Sequence, residues 1–293
     1  MSLYESGESN GKVSLKELFE SPDKILAVNK LKIDDLAYLI CRGGWPFACG
    51  LEAEAALSQA FDYVDAVIKK DISRVDGVNR NSTTARLLLR SYARNQGSQA
   101  TIGTIVADMA TNDENEISVK TAGGYMEALR KIFVIEDSEA WNPNLRSKTA
   151  VRTANTRYFV DPSIGVAVLG LGPNDLLKDL NTMGLFFETL CVRDLRVFAD
   201  AIDGEVYHFR DRSGLECDAV VHLRNGKYGL VEIKLGGDRL INEGAENLKK
   251  LAEKINTDKM NEPSFMMVLV GTGDYAYRRT DGVYVVPIGC LKD

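Results

Sequence analysis

From the N-terminus to about residue 172, apolar residues recur mainly at steps of three and four, the period of helices that bury one face. After a polar, Gly/Ser-rich lead-in, Val13, Leu15, Leu18 and Phe19 make a short amphipathic stretch. A helix over 32–41 stops at the turn Arg42-Gly-Gly-Trp-Pro46, which a helix cannot cross. Helical spacing resumes over 51–71, with Ala55, Leu57, Phe61, Val64 and Ile68 directed inward. Three further helices are predicted at 84–95 (broken by Gly97), 99–109 and 119–131, the last entered through Ser118 as a cap. In that last helix Val119, Ala122, Met126, Leu129 and Phe133 make the buried stripe. Residues 132–141 then turn to alternation, and Tyr158-Phe-Val-Asp161 is a second extended segment closed by Pro162. Three helices followed by a strand pair describe a winged-helix-like module over about 82–162.

Beyond Pro173 the pattern changes. A helix over 183–200, with Leu185, Phe186, Leu190, Leu195 and Phe198 apolar, precedes strand-like segments at 205–210, 215–223 and 227–235. Arg212-Ser-Gly and Arg224-Asn-Gly-Lys are hairpin turns, Asn225-Gly226 being the stronger signal. A helix over 241–255 leads into the apolar run 265–270, suited to a buried strand. The expected fold class is α+β, with a helical domain over 1–172 and a second domain with a mixed sheet over 173–293.

With 293 residues, 45% hydrophobic and 27% charged, the chain has room for these two modest cores. Its net charge of −6 lacks the basic footprint usual for nucleic-acid binding, so any such contact would be confined to a local face. Five cysteines form no CxxC pair and only His208 and His222 could join them, which argues against a zinc cage and for reduced thiols, mostly in the core. No segment has the apolar length of a membrane span and no basic leader precedes an apolar run, so a cytoplasmic protein without membrane contact is expected.

Alternation decides which side chains meet on the predicted strands. In Val231-Glu-Ile-Lys-Leu235, Glu232 and Lys234 share a face; in 215–222 one face holds Glu216, Asp218, Val220 and His222. A hairpin at Asn225-Gly226 would bring Asp218 near Glu232. Two such carboxylates repel unless a cation neutralises them, which suggests Mg²⁺, with Mn²⁺ as a substitute. Lys234 could then activate water and hold charge on a phosphate. The plainer reading makes Glu232 and Lys234 a solvated pair worth well under about 1 kcal/mol, and Asp218 and Glu188 surface acids.

The order of a helix carrying Glu188, then Gly214-Leu-Glu-Cys-Asp218, then Val231-Glu-Ile-Lys234 resembles the PD-(D/E)XK superfamily of nucleases, whose core runs αβββαβ. The resemblance covers the last third and implies metal-assisted phosphodiester hydrolysis. In it Asp218 and Glu232 are metal ligands, Lys234 assists the water, and Glu188 is a helix-borne acid completing the site. A wider resemblance rests on Glu5-Ser-Gly-Glu-Ser, Gly43-Gly-Trp-Pro, the winged-helix-like middle and Tyr158-Phe-Val-Asp161. These look like the C-terminal part of predicted AAA+ ATPases of bacteria and archaea. No GxxxxGK[ST] occurs, so no ATP site and no ATP hydrolysis are expected. On that resemblance the chain is a truncated form, a piece from an internal start, or a version that lost its motor.

Two functions follow as expectations. One is a Mg²⁺-dependent nuclease-like protein acting on nucleic acid; the other is a degenerate interaction module that partners DNA, a protein or an ATPase domain. For the helix 119–131, Lys120, Thr121, Tyr125, Arg130 and Lys131 are candidate DNA contacts, and an inter-domain scaffold is the equal alternative.

Overall fold

The computed structural model describes the whole chain except residues 22–24, 111–116, 144–153, 256, 258 and 259. It divides into two compact units. The helical unit comprises Ala37–Ser138 and Ala154–Thr189; the sheet unit comprises Met1–Leu36, Glu139–Thr153 and Leu190–Asp293.

This division differs from the expected boundary at 172. The opening residues belong with the C-terminal sheet because their main chain pairs there. Strand β1 (Val13–Ser14) runs parallel to the last strand, Leu291–Lys292, and β2 (Ala27–Val28) is antiparallel to a strand at Tyr275–Arg278. The Leu3 N–H donates to Asp194 Oδ2 at 2.9 Å, and Ser9 Oγ to the Leu291 carbonyl at 2.6 Å. Between β1 and β2, Ser14 caps α1 (Leu15–Glu20) by accepting the Glu17 N–H.

In the helical unit, α2 (Ile33–Arg42, begun in the sheet unit), α3 (Ala53–Ala66), the short α4 (Ile72–Arg74), α5 (Ser82–Arg94), α6 (Ile102–Ala110) and α7 (Val119–Lys131) follow the predicted succession. Asn81 and Ser118 cap α5 and α7 by accepting the N–H groups of Thr84 and Thr121. The alternating stretches meet through bridges Ile135 to Phe159 and Ser138 to Thr156, so three helices and an antiparallel ribbon succeed one another. On α3 the buried positions are Ala56, Ala60 and Val64, while Ala55 and Phe61 face outward, a rotation of the expected stripe. On α7, Ala122, Met126 and Leu129 are buried as expected, but Val119 and Phe133 are exposed. Phe133 sits just past the helix end at φ 55°, the left-handed conformation that closes a helix, and this turns its ring out of the stripe.

The helix α8 (Pro162–Leu169) was not foreseen. Asp161 caps it, accepting the Ser163 N–H at 3.0 Å, and also accepts the Gly44 N–H at 2.9 Å. Trp45 Nε1 donates to Ser163 Oγ at 2.9 Å. The Gly43-Gly-Trp-Pro turn and the Tyr158-Phe-Val-Asp161 segment thus lock together. Gly43, at φ 73°, has no room for a side chain against those of Asp161 and Ser163. Then come α9 (Pro173–Lys178) and the long α10 (Leu180–Asp200), within which the unit boundary falls.

After α10 the sheet unit runs β3 (Gly204–Arg210), β4 (Glu216–Leu223), β5 (Tyr228–Lys234), α11 (Asp238–Lys254) and β6 (Phe265–Val270). That is the predicted order of helix, three strands, helix, strand. Further strands β7 (Tyr275–Arg278), β8 (Tyr284–Pro287) and β9 (Leu291–Lys292) complete it. The seven-stranded sheet has the order β2-β7-β8-β6-β5-β4-β3, and β6 runs parallel to both β5 and β8, so the sheet is mixed within an α+β fold. One face is covered by α11, whose Ile241, Ala245, Leu248 and Leu251 pack with Val220, Leu230 and Val268. That burial is the main stabilising term of the sheet, at roughly 1.5–3 kcal/mol for each large aliphatic side chain.

Candidate functional site

The hairpin between β4 and β5 builds the site. Gly226 takes φ 85°, which a glycine adopts without strain, and the Leu223 N–H closes the turn on the Lys227 carbonyl at 2.8 Å. The register Ala219 to Val231 and Val220 to Leu230 then brings the next residues, Asp218 and Glu232, side by side at the open end of the hairpin.

The ladder is interrupted there. Against β3, Val220 pairs with Tyr207 but Cys217 pairs with Phe209, so β4 holds one residue more than its neighbour. An extra residue shifts the parity of a strand. Cys217, expected on the opposite face from Val220, joins it in the core under α11. Glu216, expected beside Asp218, pairs instead with Arg210 at 3.0 Å in an exposed cross-strand pair. Asp218 lies in this irregular segment, and its Oδ2 accepts the Ile233 N–H at 2.7 Å. A side-chain carboxylate thus satisfies a strand N–H on β5.

Lys234 closes the cluster. Its Nζ lies 3.1 Å from Asp218 Oδ2 and 2.6 Å from Glu232 Oε2. The Glu232 side chain is 2% exposed, Asp218 18% and Lys234 23%. Burial works against the lysine charge, and the two carboxylates outweigh it, holding the ammonium above its ordinary range. Burial, reinforced by Glu232 and Asp218, likewise raises the Cys217 thiol well above the usual cysteine range, so this thiol stays protonated. Gly244 of α11 lets the helix approach: a Cβ there would lie 3.3 Å from Glu232 Cβ. The solvated pair that Glu232 and Lys234 could have formed is therefore excluded by burial.

Glu188, the fourth candidate, belongs to the helical unit, where its Oε1 accepts the Tyr158 hydroxyl at 2.5 Å. Tyr158 is 1% exposed, so this bond holds the acid of α10 to the extended segment after residue 154. Among the described residues no group of three or more His, Cys, Asp or Glu side chains has the arrangement of a metal site. The carboxylates that come together are two.

The candidate DNA contacts of α7 divide. Lys120, Thr121 and Lys131 are exposed, with Lys131 paired to Glu127 at 2.9 Å and the Thr121 hydroxyl bonded to Ser118. Arg130 pairs with Asp137 at 2.6 Å. Tyr125 is 7% exposed, its hydroxyl accepts the Asn81 N–H at 2.9 Å, and the Arg80 guanidinium lies over its ring. It packs in the core of the helical unit. Sequence reasoning missed the Asp137 cluster, in which Tyr92, Arg130 and Arg157 converge on one carboxylate. Of the five thiols, four are buried and Cys49 is partly exposed, none of them in a disulfide. No helix among the described residues is long and apolar enough to cross a membrane.

Two family models match the chain. One, described as a domain of unknown function (DUF8612), covers residues 33–175; the other, a domain of unknown function (DUF4143), covers residues 183–291. DUF4143 is known as a C-terminal domain of AAA-type ATPases. Argininosuccinate synthase of Burkholderia pseudomallei (strain K96243) is 25% identical over 131 residues, which is 45% of this chain and 31% of that protein. The chain thus spans about a third of the length of this curated relative, a match too distant to carry its activity over. No solved structure matches the chain.

Proposed function

We propose that the sheet unit is a nuclease-like module of the PD-(D/E)XK type in an ATPase-associated protein, with Asp218 and Glu232 taking up Mg²⁺ or Mn²⁺ beside Lys234. The observation that carries the reading is the convergence of both carboxylates on one ammonium within 3.1 Å at the open end of a hairpin. The element order from α10 to β6 and the match to an ATPase-associated domain support it. The donor set fits a hard cation: two carboxylates, with the other positions left to water and substrate oxygens, are what Mg²⁺ commonly takes.

When bound, such a cation supplies charge against the developing negative charge of a phosphodiester and acidifies water. The residues of the chain do the rest. Asp218 is held by the Ile233 N–H, so its carboxylate has a set direction. Glu232 is closed off from solvent under α11, where a charge interacts more strongly than in water. Lys234 holds an ammonium able to bind a phosphate oxygen and to stabilise an oxyanion there. Calorimetric titration with Mg²⁺ and Mn²⁺ should give binding heat for the wild type and none for Asp218→Ala. A screen of branched and linear DNA and RNA should then give cleavage that Asp218→Ala and Lys234→Ala abolish without unfolding. Absence of heat and of any rise in melting temperature with either metal, in the wild type and in Lys234→Gln alike, would sink the reading.

A second reading, a non-catalytic module that partners an ATPase domain, DNA or another protein, is favoured by two observations. Lys234 already satisfies both acids, and Glu188 is engaged with Tyr158. It predicts that Asp218→Ala and Lys234→Ala leave partner binding intact. If DNA is the partner and α7 the contact, affinity should fall with salt and with neutralisation of Lys120, Arg130 and Lys131.

A further inference from the structure

We infer that Lys234 is the resident cation of the cluster, and that its ammonium competes with a divalent cation for the same carboxylate oxygens, so cation uptake requires Lys234 to swing out. The inference rests on the metal-binding reading above and adds a role for Lys234 that precedes any chemistry.

The geometry sets the competition. Nζ lies 2.6 Å from Glu232 Oε2 and 3.1 Å from Asp218 Oδ2, the space between the two acids. A divalent cation held by Asp218 and Glu232 would need carboxylate oxygens that the ammonium now engages, so the two cations would compete for them. Even a cation on the outer carboxylate oxygens would lie within a few ångström of a positive charge in a site of low exposure, where repulsion is weakly screened.

The mobile member of the trio is also identified. Asp218 is pinned by the Ile233 N–H, and Glu232 by the close approach of α11 at Gly244. Lys234 has a four-carbon stem, is the most exposed of the three at 23%, and ends β5 immediately before Leu235-Gly236-Gly237. Gly236 and Gly237 take φ 137° and 89°, so the chain turns away from the strand there. Rotation of the lysine into solvent breaks only its two ion pairs, and the swung-out ammonium is then free for a phosphate of the substrate.

The test uses the full chain as wild type, Lys234→Gln, Lys234→Arg and Asp218→Asn, titrated with Mn²⁺ by calorimetry and by thermal melting. Lys234→Gln is expected to bind Mn²⁺ at least about tenfold more tightly than wild type and to gain more in melting temperature on adding it. Lys234→Arg should bind no more tightly than wild type, and Asp218→Asn more weakly. Binding by Lys234→Gln in the absence of detectable wild-type binding supports the inference equally. If Lys234→Gln folds only with a cation, recovery of native tryptophan fluorescence at a Mn²⁺ concentration at least about tenfold below the wild-type dissociation constant gives the same answer. Wild type binding as tightly as Lys234→Gln overturns the inference and leaves the metal site standing. No binding by either chain overturns both.

Discussion

Asp137→Ala should be the most damaging single substitution in the polar interior of the helical unit. Asp137 Oδ1 accepts the Tyr92 hydroxyl of α5 at 2.7 Å, and Oδ2 accepts Arg130 of α7 at 2.6 Å and Arg157 at 2.5 Å. The carboxylate therefore fastens two helices and the return strand of the ribbon. Its side chain is 5% exposed and that of Arg157 10%, so the Arg157 pair is buried, and removing one member of such a pair costs about 3–5 kcal/mol. Arg130, 39% exposed, adds less than about 1 kcal/mol after solvent screening. Tyr92 keeps a second acceptor in the Tyr158 carbonyl at 3.0 Å, so its loss is a few tenths of that. With a urea slope of about 2 kcal/mol/M, the unfolding midpoint should fall by about 2 M. The assay is available because the chain has two tryptophans, Trp45 in the helical unit and Trp141 in the sheet unit. In a Trp141→Phe background, Trp45 fluorescence reports the helical unit alone. Tyr92→Phe in the same background should cost only about 1 kcal/mol. A midpoint shift under about 0.5 M for Asp137→Ala, at unchanged slope, would refute the argument, since it would mean that Arg157 needs no charge partner.

Two further outcomes follow from the sheet unit. Burial alone would raise the Asp281 carboxyl, but hydrogen bonds from Arg279 and Lys249 outweigh it and hold the group down at about 2. Because the folded value lies below the unfolded one, its stabilisation is complete above about pH 4 and is lost as pH falls through about 2. After screening it amounts to about 1–2 kcal/mol, and an Asp281→Asn chain whose acid-unfolding limb matches wild type by Trp141 fluorescence would contradict this. Gly229→Ala would drive a methyl group into the ring of Phe265, which is 3% exposed and packs edge-on against Phe19 at 5.0 Å. A cost of about 1–3 kcal/mol is expected. Gly229→Ala with Phe265→Leu should cost less than the two single changes added, by about 1 kcal/mol, and strict additivity in urea titrations would count against the clash.

The candidate site was partly legible in advance. Asn225-Gly226 set the hairpin, and alternation along Val231-Glu-Ile-Lys234 placed Glu232 with Lys234, because a turn signal and a period of two are local properties. The irregularity at Asp218 was not legible. Leu215, Cys217, Val220 and Val221 leave both faces of that strand apolar in places, so an extra residue changes no visible pattern. The engagement of Glu188 by Tyr158 joins residues 30 apart and has no local signature. The bond from the Asn81 N–H to the Tyr125 hydroxyl likewise joins residues 44 apart and was not legible in the spacing of the helix.

What the sequence determined by itself was the succession of the helices α5 to α7, the cap Ser118 at α7, and the order α10, β3, β4, β5, α11, β6. These are written in the spacing of apolar residues and in capping and turn chemistry. It could not announce α8, whose Pro-Ser-Ile-Gly-Val-Ala-Val-Leu is buried nearly all round and carries no amphipathic period. Nor could it assign the first 36 residues to the C-terminal sheet, since β1 and β2 are two residues long and find partners at Leu291 and Ala276. Tertiary structure decided those, along with the extra residue of β4 at Asp218 and the engagement of Glu188 by Tyr158. Each depends on which main-chain groups and charges stand opposite one another across space, whereas periodicity records only the face on which a residue lies.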